Sequence, residues 1–275
     1  MAKTTLVTPY QFRERILAFG DAGTGKTAGG LSIARAIPDA QFYAIDNDVS
    51  YSYERLLETH FTTVAKTGNV DVRTVTDEWE DIMDTLRGIV MPVAKSGDRD
   101  SWLLFDSATP TWQSAQDYFT NQIFGIELAD YFIRQRLAFE TEGPRITKSG
   151  KKIDEVKGFD GWKDWSVINK LYMEFYKLLK KWPGHFYITA EQSKVSTEDD
   201  NEVKEDFGGY GIKPKGQKRL PYVASTCVWF TKAGKDRFFW TNVKDRGRET
   251  VEGEEFDDFA IDYLVAHAGW KVEKM

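Results

Sequence analysis

Apolar and polar positions along the chain fall into short apolar runs separated by longer stretches of helical spacing. Arg15 to Phe19 (RILAF) predicts a buried strand, and Lys26 to Ala36 a helix that stops near Pro38. Gln41 to Ile45 predicts a second strand, ending in Asp46. Ser50 to His60 follows as a helix with Tyr53, Leu56 and Leu57 on one face. Val70 to Val75 alternates as a strand does, and Asp77 to Val90 is helical. Trp102 to Phe105 is wholly apolar, the mark of a strand covered on both sides, and ends in Asp106. Thr111 to about Glu140 is expected to be helical. Residues 143–161 are polar and basic with glycines and predict a loop or hairpin.

The sharpest helical pattern comes next: Ile168, Leu171, Tyr172, Phe175, Leu178 and Leu179 share a face, and Pro183-Gly184 ends it. His185 to Ala190 predicts a strand. Ser193 to Arg219 is a long polar stretch without periodicity and is expected to be a mobile loop. Ala224 to Phe230 and Arg237 to Val243 flank Ala233-Gly234 and predict an antiparallel hairpin, and Phe256 to Ala266 a short closing helix. Strands that alternate with helices imply a mostly parallel, twisted sheet flanked by helices, with right-handed crossovers. No internal repeat or Gly/Ser linker divides the chain, so residues 1–275 are expected to form a single α/β domain with a C-terminal antiparallel hairpin.

Composition narrows the function classes. A chain of 275 residues, 41% hydrophobic and 14% aromatic, can bury a full core. Its net charge of −6 gives no general attraction for nucleic acid, so any such site must be a local basic patch. Cys227 is the one cysteine, which excludes an intrachain disulfide and suits a reducing cytosol. The segment MAKTTLVTPYQFRERI has no apolar core of signal-peptide length, and no run is long enough to span a bilayer. A cytoplasmic protein without membrane contact is the expectation. Three scattered histidines and one cysteine make no zinc pattern, and no G-x-S-x-G is present. The nine tryptophans read as core or interface anchors.

The strongest chemical signal is Gly20-Asp21-Ala22-Gly23-Thr24-Gly25-Lys26-Thr27, which satisfies G-x-x-x-x-G-K-[ST] between a strand and a helix. Such a loop points backbone N–H groups at an anion, and the helix N-terminus adds partial positive charge. Lys26 is expected to reach the β- and γ-phosphates of ATP, and Thr27 to give its hydroxyl to Mg²⁺. Asp106, ending an apolar strand at the edge where parallel sheets bind ligands, is the candidate second metal residue, with Ser107 beside it. Hydrolysis needs a group to orient water. Asp46 and Asp48 at the end of the second strand, and Glu191 and Gln192 at the end of HFYITAEQ, are candidates for that or for sensing the γ-phosphate.

These pieces together are similar to a known family. GDAGTGKT, AIDNDVSYSYERL, LLFDSATP, ITAEQS and NVKDRG, spread from about Arg15 to about Gly247, resemble the RecA/RadA recombinase ATPase core. More narrowly they resemble the single-domain RecA-like, or AAA-type, nucleotide-binding proteins of bacteriophages. The resemblance implies a RecA-like P-loop NTPase core and an oligomer, ring or filament, with ATP at the subunit interfaces. It sets Asp48 where the family has its catalytic Glu, one methylene longer. It makes Gln192 the γ-phosphate sensor, with Glu191 a second candidate base. Tyr53 would stack on adenine, and Lys244 and Arg246 would act in the neighbouring subunit's site.

A DNA site is sought in the polar stretch. Its first half is acidic, whereas its second half, GGYGIKPKGQKR, supplies Lys213, Lys215, Lys218 and Arg219 with Tyr210 as a stacking face. Arg145, Lys148, Lys151 and Lys152 form a second basic stretch. The expected function is a DNA-stimulated ATPase that binds single-stranded DNA in phage recombination, annealing or replication, with a single-strand-binding or annealing protein as a further partner. A helicase- or packaging-type motor and a nucleotide-gated switch for a protein partner are the alternatives.

Overall fold

Strand β2 (Arg15–Gly20) is apolar on both sides, and both sides are covered. Leu17 and Phe19 join one core, Ile16 and Ala18 the other. The computed structural model describes residues 4–7, 13–48, 50–142 and 163–274. Ahead of β2 lies β1 (Thr4–Val7). After it come α1 (Lys26–Ala36), β3 (Phe42–Asp46), α2 (Ser52–Thr59), α3 (Thr62–Thr67), β4 (Val70–Thr74), α4 (Trp79–Ser96) and β5 (Trp102–Asp106). The middle of the chain supplies α5 (Ala108–Phe124), α6 (Leu128–Glu142), α7 (Lys163–Lys181) and β6 (His185–Lys194). Then follow α8 (Asn201–Phe207), β7 (Ile212–Pro214), α9 (Leu220–Val223), β8 (Thr226–Ala233), β9 (Arg237–Asp245), β10 (Glu254–Phe256), a π-helix (Ala260–His267) and β11 (Lys271–Lys274).

The main sheet runs β10-β9-β8-β2-β6-β5-β3-β4, with β7 added to the end of β6. Its six strands from β8 to β4 are mutually parallel, and β9, β10 and β7 pair antiparallel. This is the expected fold class: a mostly parallel sheet flanked by helices, finished by an antiparallel hairpin. Because all six parallel strands point the same way, Gly20, Asp46, Asp106 and Glu191 end up along one edge. One face carries α4, α5 and α7, whose Ile82, Leu86, Tyr172 and Phe175 pack on Leu103, Phe105 and Ile188. The other carries α1, α2, α3 and the π-helix over Ile16, Ala44, Trp102 and Leu104. A second, two-stranded sheet joins β1 to β11, with Thr4 opposite Lys274.

Four expectations change. The helix expected from Thr111 to Glu140 is two helices, because Gly125 at φ 71° ends α5 in a left-handed cap. The helix from Asp77 to Val90 runs instead from Trp79 to Ser96, its apolar face carrying it through Pro92. Phe256 lies in β10, and the closing helix begins only at Ala260. The stretch from Ser193 to Arg219, expected as a loop, carries the end of β6, α8 and β7, pinned by buried Val203 and Phe207. Five tryptophans (Trp79, Trp102, Trp182, Trp240 and Trp270) are buried as anchors. Residues 143–161, with Arg145, Lys148, Lys151 and Lys152, lie outside the described residues, as does Trp162.

Candidate functional site

The glycine loop is built by close approach. A Cβ on Gly20 would stand 2.3 Å from the carbonyl oxygen of Phe230 on β8, so no larger residue fits where β2 ends. Gly25, at φ 94° in the left-handed region, turns the chain into α1 and acts as its N-cap. Thr24 donates to the Asp21 carbonyl at 2.8 Å, and Tyr187 from β6 donates to the Lys26 carbonyl at 2.7 Å. The Lys26 ammonium folds back over its own loop, donating to the carbonyls of Gly20 (3.1 Å) and Asp21 (2.8 Å). Burial lowers its pKa, against the charges of Asp106, Glu191, Asp21 and Asp48, in that order of strength. Four carboxylates therefore face this one ammonium.

Asp106 is buried at the end of β5. The Thr27 hydroxyl donates to its Oδ2 at 2.5 Å, and the Thr189 hydroxyl donates to its Oδ1. Burial pushes its pKa up, which the two hydroxyls counter in part. A buried carboxylate whose hydrogen-bond partners are neutral, with a loop hydroxyl against it, is the oxygen donor set that suits a hard cation such as Mg²⁺. Thr27 and Asp106 fit that ion; Lys26 and the loop fit phosphate.

Asn47 holds the turn after β5. Its side-chain amide accepts from the Ser107 N–H and donates to the Ser107 carbonyl (3.1 Å) and to Thr111 (2.9 Å). The Asp106–Ser107 peptide is cis. Asp46 is fully buried, and its two oxygens accept the N–H groups of Asp48 and Tyr53, each at 3.0 Å. Burial, reinforced by Asp106 and Asp48, pushes its pKa up to about 6 despite those bonds. Asp46 is thus a structural carboxylate, whereas Asp48 lines the cleft. Burial raises the Asp48 pKa, but hydrogen bonds from Ser50 and Ser52 and the Lys26 charge carry it below the usual value.

The loop, Asp48, Asp106, Ser107, Glu191 and Gln192 line one cleft of about 1970 Å³. The Gln192 side-chain oxygen accepts from Trp229 Nε1 at 2.8 Å. Glu191 is exposed and paired with Lys215 at 2.5 Å. Tyr53 is corrected: fully buried among Leu31, Phe61 and Val64, it has no face to offer adenine. Lys244 is corrected too. Its ammonium pairs with Asp206 at 2.8 Å and lies 4.2 Å from the Tyr222 ring centre, so it is occupied within its own chain. Arg246 is exposed, and among the described residues it has no ion pair. Its N–H donates to Ser225, which in turn donates to Arg15 at the start of β2, so Arg246 sits at the opposite edge of the sheet from the loop.

The three lysines of the basic half are each paired with an acid, two of these from the acidic half and the third at the end of HFYITAEQ. Asp199 pairs with Lys213, Asp200 with Lys218 at 3.2 Å, and Glu191 with Lys215. Tyr210 packs edge-on to Trp229 and donates to Glu252 at 3.3 Å. Arg219 is exposed and keeps no ion pair among the described residues. The sequence reading passed over Asn47, Thr189, Thr109 and the hairpin-tip residues Lys232, Lys235 and Phe238, which also line or brace the cleft. Thr189 had a signal, a lone hydroxyl inside the apolar run HFYITA; Asn47 stood between two quoted aspartates.

No family model matches the sequence, and no curated protein matches it. Among solved structures the chain is similar to an ATPase of the type III secretion system of pathogenic bacteria, with 12% identity and a TM-score of 0.42. That match covers 80% of this chain and 51% of the other, so the chain spans about half its length. It is also similar to the RadB recombinase, with 12% identity and a TM-score of 0.47 over 89% of this chain and 87% of that one. At this distance, roles rest on the chain's own geometry. No helix among the described residues is long and apolar enough to cross a membrane.

Proposed function

We propose that the chain is a RecA-like P-loop protein that binds and hydrolyses ATP, works as an oligomer with ATP between subunits, and acts on single-stranded DNA in the cytoplasm of a phage-infected cell. One observation carries the ATP part: the Gly20–Thr27 loop, the Thr27–Asp106 contact and the acids around Lys26 converge at one end of the parallel strands. On this reading Lys26 leaves its own carbonyls for the β- and γ-phosphates, and Thr27 and Asp106 are the residues that would hold Mg²⁺. Bound there, Mg²⁺ supplies charge neutralisation on the phosphate oxygens. Asp48 or Glu191 orients the attacking water, and Gln192 gives up Trp229 to sense the γ-phosphate. Arg246 is the remaining cation for a neighbour's site, since Lys244 is held by Asp206. Tyr210, Lys213, Lys215, Lys218 and Arg219 are the proposed DNA contacts, reached by displacing their acidic partners; a single-strand-binding or annealing protein would be a further partner.

A second reading, a nucleotide-gated switch for a protein partner, draws on those same ion pairs, because lysines matched by acids attract DNA weakly. ATP hydrolysis measured with and without single-stranded DNA, with Lys26→Ala as the blank, decides between them. Stimulation by DNA that vanishes in Lys26→Ala supports the first reading. Turnover indifferent to DNA supports the switch, and wild-type turnover no greater than the blank overturns hydrolysis.

A further inference from the structure

Lys215 is the one cation of the 193–219 stretch that lines the cleft. Its backbone is tied down at two points. Its N–H donates to the Glu191 carbonyl at 2.7 Å, and its own carbonyl accepts from the Thr109 hydroxyl at 2.8 Å. The Thr109 oxygen also accepts the Glu191 N–H at 3.0 Å, so β6, the start of α5 and Lys215 form one braced corner. From that corner the side chain is half exposed, and its ammonium rests on the Glu191 carboxylate at 2.5 Å. Glu191 is also among the acids whose charge reaches the Lys26 ammonium. Lys26 and Lys215, from distant parts of the chain, thus line the same cleft, and Glu191 lines it with them, paired to Lys215.

We propose that Lys215 is a second phosphate-binding cation, supplied by the same chain, and that Glu191 holds it in reserve until a nucleoside triphosphate enters. This rests on the nucleotide reading given above and deepens it, and it takes Lys215, the one of those cations in the cleft, out of the proposed DNA contacts. The exchange is electrostatic and breaks no covalent bond. The terminal phosphate carries more charge than the single carboxylate it displaces, and the long lysine side chain turns about a fixed backbone. Moving Lys215 to the γ-phosphate also frees Glu191 to accept a hydrogen bond from water, so ligand entry and the arming of a candidate base become one event. A diphosphate leaves the Glu191–Lys215 pair in place. Lys215 is therefore a determinant of triphosphate over diphosphate, and no neighbouring subunit is needed for that step.

The test is equilibrium binding of ADP and of a non-hydrolysable ATP analogue, with Mg²⁺, to the full chain and four variants: Lys26→Ala, Lys215→Ala, Glu191→Gln and the double variant Glu191→Gln/Lys215→Ala. Lys215→Ala should weaken the ATP analogue about tenfold, the scale of one charge-assisted contact, and leave ADP within about twofold. Glu191→Gln, which releases the lysine, should tighten the analogue and not ADP. In the Glu191→Gln background, removing Lys215 should still cost only the analogue, which separates a phosphate contact from simple unmasking of Glu191. An equal effect on both nucleotides, or none on either, overturns the inference while binding that depends on Lys26 keeps the nucleotide reading intact. Wild-type protein that binds neither nucleotide overturns both.

Discussion

His185 stands in the interior with its ring stacked on Trp102, centroids 4.6 Å apart, and its Nδ1 accepting the Glu14 N–H at 3.0 Å. That acceptor role requires the neutral imidazole. Burial, helped by the charges of Arg13 and Arg15, depresses its pKa to about 3. The unfolded chain takes a proton near pH 6.5, whereas the folded chain resists it to about 3. Stability from this residue is therefore complete above pH 6.5 and is lost as pH falls toward 3. Urea unfolding should show a loss of about 2 kcal/mol between pH 7 and pH 5 from this group, by the linkage of one proton. His185→Phe should flatten that slope; an unchanged slope would assign the acid sensitivity to other groups. Asn47 is the second residue whose single side chain governs its surroundings. Asn47→Ala leaves the Ser107 N–H without an acceptor and loosens the turn that follows Asp106. The expected cost is about 2–3 kcal/mol by urea unfolding, the range for a stranded buried polar group and a lost contact. Under the proposed function, ATP hydrolysis should fall more than tenfold, as the turn that follows Asp106 loses its brace.

Among the elements, those fixed by local pattern were legible in the sequence. The run RILAF before GDAGTGKT, the apolar WLLF before Asp106 and the one-faced spacing of α7 each pointed to the structure they form. What the sequence withheld depends on contacts between distant segments. Tyr53 reads as a free aromatic beside the site until α2 is laid on α1 and α3, which bury it. Lys244 reads as a free finger until α8 brings Asp206 against it. The polar 193–219 stretch lacks periodicity because its elements are three to seven residues long, and its acids Asp199, Asp200 and Asp206 are matched to Lys213, Lys218 and Lys244, the last of them on β9. Asn47 and Thr189 act by hydrogen bonds across strands, which no spacing along one strand encodes.

At the scale of the whole molecule, the two ends of the sheet carry different business. Arg246 is separated from the glycine loop by the length of β2, about 16 Å at the usual rise per residue, so it cannot serve its own chain's cleft. Under the proposed function Arg246→Ala should bind nucleotide as wild type does and yet lose hydrolysis and assembly, read by turnover and sedimentation. Normal turnover by that variant would remove the neighbour's residue from the mechanism.

The small sheet that lays β1 along β11 has a consequence of its own. A fold whose first and last described strands are hydrogen-bonded partners is close to a closed loop, and the place where it is cut matters less than the order around it. Joining the ends by a short Gly/Ser bridge and reopening the backbone at the exposed turn between Gly97 and Asp98 should give a circular permutant with the same cleft and a melting temperature within a few degrees of the original. Such a permutant would set the glycine loop in the second half of the chain, and its folding would show that the site belongs to the ring of elements and not to the direction in which they are read.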